Sequence, residues 1–428
     1  MMNISKIYAL FNQHNSISID TRSIKPKDIF FAIKGPNFDG NNFALEAIKK
    51  GASYVISDNS TISKKSDKII YVDNSIKALQ KLANYHRRKL NTKIIAITGS
   101  NGKTTSKELI LNVLKSKYKT TATKGNLNNH LGVPLSLLEI NENTDFGIIE
   151  MGANHINEIS QLCKIAEPNF GYITNFGNAH LEGFGSIEGV IKGKSELYNY
   201  LINNKSLIFN NSENIKQTSL INNYKNTYSF GINSESNCII NKSDSENSLN
   251  VSYQNKIIKS TIYGDYNFEN ICIAIAIGEY FEVDFKNIKQ GIESYLPDNN
   301  RSQISVKNNN TIILDAYNAN PTSMSLALES FKKTNYKNKM IIVGDMFELG
   351  KDSNHYHQEI INRLEKINDC IIYIVGEYFY KTKHSDRIES FSTTKELINN
   401  LSKTNVSNYS ILIKGSRGMQ LEKIIEFI

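Results

Sequence analysis

The sequence predicts an α/β protein of three domains, and three observations lead there. The chain has 428 residues, too many for one core and enough for two to three domains of ~100–200 residues each. Short apolar runs alternate with helical stretches along its whole length, the pattern of parallel sheets with right-handed crossovers. One such run, at 94–98, ends in a Gly-rich turn that carries a Lys and two Thr and leads into a helical pattern.

Residues 1–90 read as a small α/β domain, with apolar runs at 16–20, 29–33, 54–57 and 69–72 and a helix at 42–50. A longer stretch rich in Leu, Ala, Lys and Arg, 75–90, reads as the helix leading out of it. Residues 91–296 form a central P-loop-type domain, a mostly parallel sheet with flanking helices. Its strands are expected at 93–98, 145–150 and 170–175, and its helices at 104–117, 157–165 and 186–200. The polar, alternating stretch 237–262 is expected to make hairpins on one edge, and the Ile/Ala-rich helix 267–281 to close the unit. The turn Leu296-Pro-Asp-Asn-Asn marks the next boundary. Residues 297–428 read as a Rossmann-like α/β domain with strands at 311–314, 339–343, 371–375 and 410–413 and helices at 323–333 and 355–367.

Bulk composition removes several function classes. Hydrophobic content of 40% and charged content of 21% describe an ordinary globular protein. No run approaches the ~18–20 apolar residues of a membrane span and the start lacks a signal-peptide core, so no membrane span and a cytoplasmic location are expected. Cys163, Cys238, Cys272 and Cys370 lie far apart without a Cys-x-x-Cys pair, which favours buried reduced thiols over a metal site or disulfide frame. The formal charge of +8 is spread along the chain; a nucleic-acid partner would want a basic stripe. A monomer is expected.

The turn at 98–105, Thr98-Gly99-Ser100-Asn101-Gly102-Lys103-Thr104-Thr105, has the parts of a phosphate cradle. Gly99 and Gly102 let backbone N–H groups approach an anion. Lys103 offers a point charge to the outer phosphates and the Thr104 hydroxyl can sit on Mg²⁺. The loop is shorter than the general phosphate loop, which would have a Gly further upstream, so ATP is expected within a minority class of ATP enzymes. Ligands of open parallel sheets sit at the carboxyl ends of the strands. Glu150 ends one strand and His180 follows another within a Gly-rich loop, 177–185, so both emerge beside the cradle and could hold Mg²⁺. A helix-borne Lys194 is by itself most simply a solvated lysine.

With their spacing, these residues resemble the Mur ligases, ATP-dependent amide-forming enzymes of peptidoglycan synthesis, along the whole chain. The resemblance makes 98–105 the family's phosphate loop, Glu150 and His180 its metal-binding Glu and His, and Lys194 its carbamylated lysine. It places Asn267 by the adenine, Arg301 on a phosphate and Asp315 on the ribose. It implies ATP, Mg²⁺ (two ions, on Thr104, Glu150, His180 and the modified Lys194) and catalytic roles for Lys103, Glu150, His180 and Lys194. Three stretches imply the substrates, a UDP-N-acetylmuramoyl-tripeptide and D-alanyl-D-alanine. They are Asp20-Thr21-Arg22 with 33–43, including Lys34, Gly35 and Asp39; 124–134, with Asn126, Asn128 and Asn129; and 317–324, with Tyr317, Asn318 and Asn320. The last two Asn are expected on the dipeptide side. The segments 343–350 and 414–417 also fit. The first domain would bind the UDP-sugar-peptide, the second ATP, and the third the dipeptide while closing over ATP. Tyr266 stands where the family usually has His, and Ala316 where Ser is usual.

Three alternatives compete. A folylpolyglutamate-type ligase shares the loop and the amide chemistry but has no need of the Asp20–Phe43 region. A regulatory or nucleic-acid-associated ATP-binding protein would leave Glu150, His180 and Asn318–Pro321 without a task. A non-catalytic scaffold would have no use for an intact Lys103, Glu150, His180 and Lys194.

Overall fold

Short apolar runs that are buried on both faces become parallel strands. Ile29–Phe31, Tyr54–Ser57 and Ile69–Tyr71 pair this way, with Ile17–Ser18 at one edge, into a four-stranded parallel sheet. This is a computed structural model, and it describes residues 3–14, 16–244, 248–298 and 300–428. Among these residues no helix is long and apolar enough to cross a membrane.

Helix Ser75–Lys89 starts where the Asn74 side chain accepts from Lys77 N at 2.7 Å, a cap that satisfies one of the free N–H groups of the first turn. It buries Leu79, Leu82, Ala83 and His86 against both the first sheet and the central domain. Helix Ile4–His14, which the sequence reading did not anticipate, joins that core through Ile7 and Phe11 on one face. Arg87 fastens the two units. Its guanidinium donates to Ala166 O (3.0 Å), Glu167 O (3.2 Å) and Asn169 Oδ1 (2.8 Å), satisfying the last carbonyls of helix Glu158–Ala166.

The central sheet has nine strands. Across it they run Lys256–Lys259, Asn250–Tyr253, Cys238–Ser243, Thr227–Gly231, Leu207–Asn211, Phe170–Ile173, Lys93–Thr98, Phe146–Glu150 and Thr120–Ala122. The first three form the expected antiparallel edge hairpins and the rest is parallel. Thr98 pairs with Ile173 and Ile97 with Glu150, so the phosphate loop, Glu150 and the His180 loop leave the sheet at one edge.

The third sheet has six strands in the order Gln303–Lys307, Asn310–Asp315, Ser410–Lys414, Lys339–Gly344, Cys370–Val375 and Ile388–Phe391. All pairs are parallel except the first. Strand Ser410–Lys414 lies between the first two strands expected of this domain, which brings Lys414 beside Asp315. Of the cysteines, Cys163, Cys238 and Cys272 are buried; Cys370 is half-buried, a correction to the expectation for all four, and all are free thiols.

Two buried histidines make stability depend on pH. His86 Nε2 lies 2.7 Å from Ile140 O. His357 accepts from Met346 N at Nε2 (3.0 Å) and meets Ser353 O at Nδ1 (2.7 Å). Burial lowers the pKa of both, against the raising effect of these carbonyls and, for His357, of the Asp345 carboxylate 3.6 Å away. The unfolded chain then binds more protons below about pH 6.5, the ordinary histidine value, so stability is full above it and falls as pH drops through it. Thermal melts should therefore move to lower temperature between pH 7.5 and 5.5, and less so in His86→Gln.

Candidate active site

A cleft of about 930 Å³ opens between the central and C-terminal domains. The phosphate loop makes its floor. Gly99 (φ +141°) and Gly102 (φ +79°) occupy backbone conformations that favour glycine. A Cβ on Gly99 would overlap Thr174 Oγ1, and one on Gly102 would overlap Asn270 Oδ1. Gly99→Ala is expected to strain the loop by about 1–3 kcal/mol and to weaken nucleotide binding, as a calorimetric titration with an ATP analogue would read.

Lys103 opens helix Lys103–Leu114 and folds back over the loop, donating to Gly99 O (2.7 Å) and Ser100 O (3.1 Å). Burial lowers its pKa, the nearby Glu150 and Glu348 work against this, and Arg301 adds to it. Thr104 Oγ1 donates to Glu150 Oε2 at 2.9 Å. Asn128 Nδ2 donates to Glu150 Oε1 at 2.7 Å, and Glu150 N donates to Thr123 Oγ1 at 3.0 Å. The buried Lys107 in turn bonds Thr123 O. Thr104 and Asn128 thus each hold one carboxylate oxygen while Thr123 anchors the Glu150 backbone.

His180 caps a short helix in the left-handed conformation (φ +55°). Its Nδ1 lies 2.5 Å from Glu348 Oε2 of the C-terminal domain. That contact and the charge of Lys103 lower the Glu348 pKa, against desolvation. Lys194 is fully buried on helix Ile187–Asn203. Its Nζ donates to Ala153 O (3.0 Å) and sits 5.1 Å from the centre of the Phe184 ring. Desolvation, and then the charge of Lys103, hold its pKa well below the ordinary lysine value, while Glu158 and Glu196 oppose the shift. The reading of a solvated lysine is thereby overturned.

The third domain lends Arg301, Ser302, Asp315, Tyr317 and Lys414 to the cleft lining. Arg301 stacks on the Tyr317 ring, 3.6 Å from its centre, and its Nε is buried without a partner. Asp315 pairs with Lys414 at 2.5 Å and accepts from Ser302 N at 3.3 Å. Asn267 Nδ2 donates to Tyr263 O and Ser302 Oγ, and its Oδ1 accepts from Asn270. Its amide thus holds the start of helix Phe268–Tyr280 at the cleft wall. Tyr266 bonds Ser302 Oγ at 3.0 Å, which gives this residue a place in the same wall.

Several expected substrate residues are engaged within the protein. Asn126, Asn128 and Asn129 line the cleft, yet Asn128 grips Glu150, and Asn129 Oδ1 accepts from Leu131 N and Gly132 N. Tyr317 and Asn318 line it too; Asn318 Oδ1 accepts from Ala319 N. Asn320 caps helix Pro321–Lys333 and reaches Asn101 instead. Thr21, Arg22, Lys34, Gly35 and Asp39 are absent from the cleft lining. Arg22 pairs with Asp20 at 2.7 Å and lowers its pKa to about 2. Asp39 caps the turn Gly40–Phe43 and lies 3.9 Å from Lys34 across a two-stranded hairpin. Sequence reasoning gave Glu348 and Lys414 no role, although the segments 343–350 and 414–417 that carry them fit the resemblance. Each lies at or just past a strand end of the third domain, but which neighbour it meets depends on strand order.

The donor set suits a triphosphate and a hard cation. Asn101 Nδ2 and Arg301 Nε are buried donors left without partners, a state that an anion relieves. Thr104 and Glu150 place two oxygens side by side at the cradle, the ligand type Mg²⁺ prefers. No group of three His, Cys, Asp or Glu that could hold a metal occurs among the described residues, so any cation here relies also on phosphate oxygens and water.

Family models for the Mur ligase catalytic, middle and glutamate ligase domains match residues 14–87, 97–278 and 300–417 in turn. The chain belongs to the Mur ligase family. It is 36% identical to the UDP-N-acetylmuramoyl-tripeptide–D-alanyl-D-alanine ligase of Rickettsia prowazekii, over 96% of this chain and 95% of that protein. Among solved structures it is similar to MurF from Acinetobacter baumannii (29% identity, TM-score 0.85, 96% of this chain and 92% of that one). The MurF ligase of Thermotoga maritima in complex with ADP is also similar (26%, TM-score 0.84, 100% and 98%).

Proposed function

We propose that this chain is the ATP-dependent ligase that joins D-alanyl-D-alanine to UDP-N-acetylmuramoyl-tripeptide in peptidoglycan precursor synthesis. What carries the reading is one cleft in which a phosphate loop, the Thr104–Glu150 oxygen pair and the His180–Glu348 contact converge, in a chain similar throughout to ligases of that name.

A carboxylate oxygen is a poor leaving group, so the γ-phosphoryl of ATP first passes to the terminal carboxylate of the tripeptide as the bond to the β-phosphate breaks and ADP leaves. The dipeptide amine attacks the resulting acyl phosphate, and phosphate leaves. Two anions must meet in the first step, so neutralising charge is the main demand on the protein. Lys103 would face the outer phosphates, and Arg301 and Asn101 would add donors to them. Thr104 and Glu150 would hold one Mg²⁺; His180 and Lys194 would hold a second once Lys194 carries a carbamate. Mg²⁺ there supplies positive charge and orients the phosphate oxygens.

As an ammonium Lys194 has no lone pair for a cation, and as a neutral amine it is a poor ligand for a hard ion. Its depressed pKa keeps a fraction neutral, the form to which CO₂ adds, and the carbamate offers anionic oxygens. Asp315 and Arg301 would hold ribose and phosphate as the C-terminal domain closes and excludes water. The first domain would present the UDP-sugar through the segment carrying Thr21, Arg22, Lys34 and Gly35, and Tyr317 and Asn318 would face the dipeptide.

The test is phosphate release from purified protein given ATP, Mg²⁺, the UDP-linked tripeptide and D-alanyl-D-alanine. Turnover that needs all four supports the reading. Turnover with glutamate and a folate in place of the two peptides, and none with the peptides, would refute it.

A further inference from the structure

Three loops from two domains meet at the tip of the phosphate loop. Asn101 N donates to Asn175 Oδ1 (3.0 Å), and its carbonyl accepts from Thr174 Oγ1 (2.5 Å) and Asn175 Nδ2 (3.1 Å). Ser100 Oγ donates to Gly177 O (2.9 Å) and Asn178 N donates to Thr322 Oγ1 (3.0 Å). A Cβ on Gly177 would lie 3.0 Å from Asn101 Nδ2 and 3.1 Å from Thr322 Oγ1. A side chain at Gly177 would therefore press on both domains at this junction.

The side chain of Asn320 crosses it. Asn320 Oδ1 accepts from Ser323 N at 2.9 Å, closing a capping box, and Asn320 Nδ2 donates to Asn101 Oδ1 at 2.7 Å. The residue is 3% exposed, so both ends of its amide are engaged and little of it is open to a substrate. The bond also sets the other amide. With its oxygen held by Asn320, Asn101 must turn its Nδ2 the opposite way, and that donor is buried and unpaired. An amide presents a donor on one side and an acceptor on the other, so the oxygen held fixes where the donor points, here beside Gly177, which lines the cleft.

We infer that Asn320 is a positioning residue: from the C-terminal domain it orients the Asn101 amide so that its N–H₂ serves the phosphates, which makes domain closure a condition for a complete phosphate loop. This rests on the ATP-ligase reading above and replaces a dipeptide contact by Asn320.

Asn320→Asp tests it. Aspartate caps a helix as well as asparagine but has no N–H to give. Asn101 can then meet the new carboxylate only by turning its own N–H₂ toward it, which presents oxygen to the phosphates. Thermal melting should be unchanged. The kcat should fall by about tenfold or more, the scale of a lost hydrogen bond to a charged group, and affinity for a non-hydrolysable ATP analogue should fall with it. The KM for D-alanyl-D-alanine should hold. Asn101→Ala combined with Asn320→Asp should be no worse than Asn101→Ala alone. A raised dipeptide KM with unchanged analogue binding, losses that multiply in the double variant, or no change at all would each overturn the inference. Wild-type protein without ligase activity would sink the proposed function instead, and the analogue-binding comparison would still read the Asn101–Asn320 coupling.

Discussion

Lys194→Ala is expected to lower ligation by roughly 10³-fold or more while the protein stays folded and still binds nucleotide. Small carboxylic acids such as formate or acetate should restore part of the activity. The reason lies in where the amine sits. A fully buried lysine that meets one carbonyl and an aromatic ring is poorly solvated as a cation, and burial lowers its pKa. A neutral amine takes up CO₂, releases a proton, and becomes a carbamate whose two oxygens suit a hard cation. Truncation to Ala removes those oxygens and leaves a space of similar shape, which a free carboxylate can enter. Were Lys194 only a packing element, the variant would melt earlier and added acids would not help. Full activity in Lys194→Ala would end the carbamate proposal.

Lys103→Met should be nearly as damaging, with phosphate release down roughly 10²–10³-fold and analogue binding weakened. Methionine nearly keeps the volume and loses the charge, so the comparison isolates electrostatics. Lys103 sits against backbone carbonyls of its own loop, with Glu150 and Glu348 close enough to favour its charged form. Phosphates entering the cradle offer that ammonium group a better partner than two carbonyls. Lys103→Arg should not rescue, because the loop wraps a compact ammonium and has no place for a planar fork. Wild-type kcat in Lys103→Met would remove the charge argument from the phosphate loop.

Much of this was legible in the chain because the signals were local. The turn 98–105 carries its own glycines, lysine and threonines, and the strand before it, Lys93–Thr98, has the expected bounds. Glu150 could be placed at a strand end from the run 145–150 alone. Helix Ile4–His14 was missed although Ile4, Ile7, Tyr8 and Phe11 stand at helical spacing and pack on one core. Strands Leu207–Asn211 and Thr227–Gly231 lie among Asn, Ser and Lys, which read as loop. Partnerships were the least visible. That Lys414 meets Asp315 follows from strand order, and that Glu348 meets His180 follows from how two domains sit together. Asn320 looked like a substrate amide because Asn-Ala-Asn-Pro sits at a strand end. The same position before Pro321 is also where a helix needs its cap, and the cap is what the structure uses.

The cleft is read as a place where the outer phosphate of ATP passes to a substrate carboxylate, and oxygen labelling tests that transfer directly. The UDP-linked tripeptide is made with ¹⁸O in both oxygens of its reacting carboxylate, then incubated with ATP, Mg²⁺, D-alanyl-D-alanine and the protein. The expected result is one ¹⁸O in each phosphate released and one in each new amide, because the bond that breaks joins the acyl carbon to the labelled bridging oxygen. Released phosphate free of label, with both labelled oxygens still in the tripeptide, would contradict it.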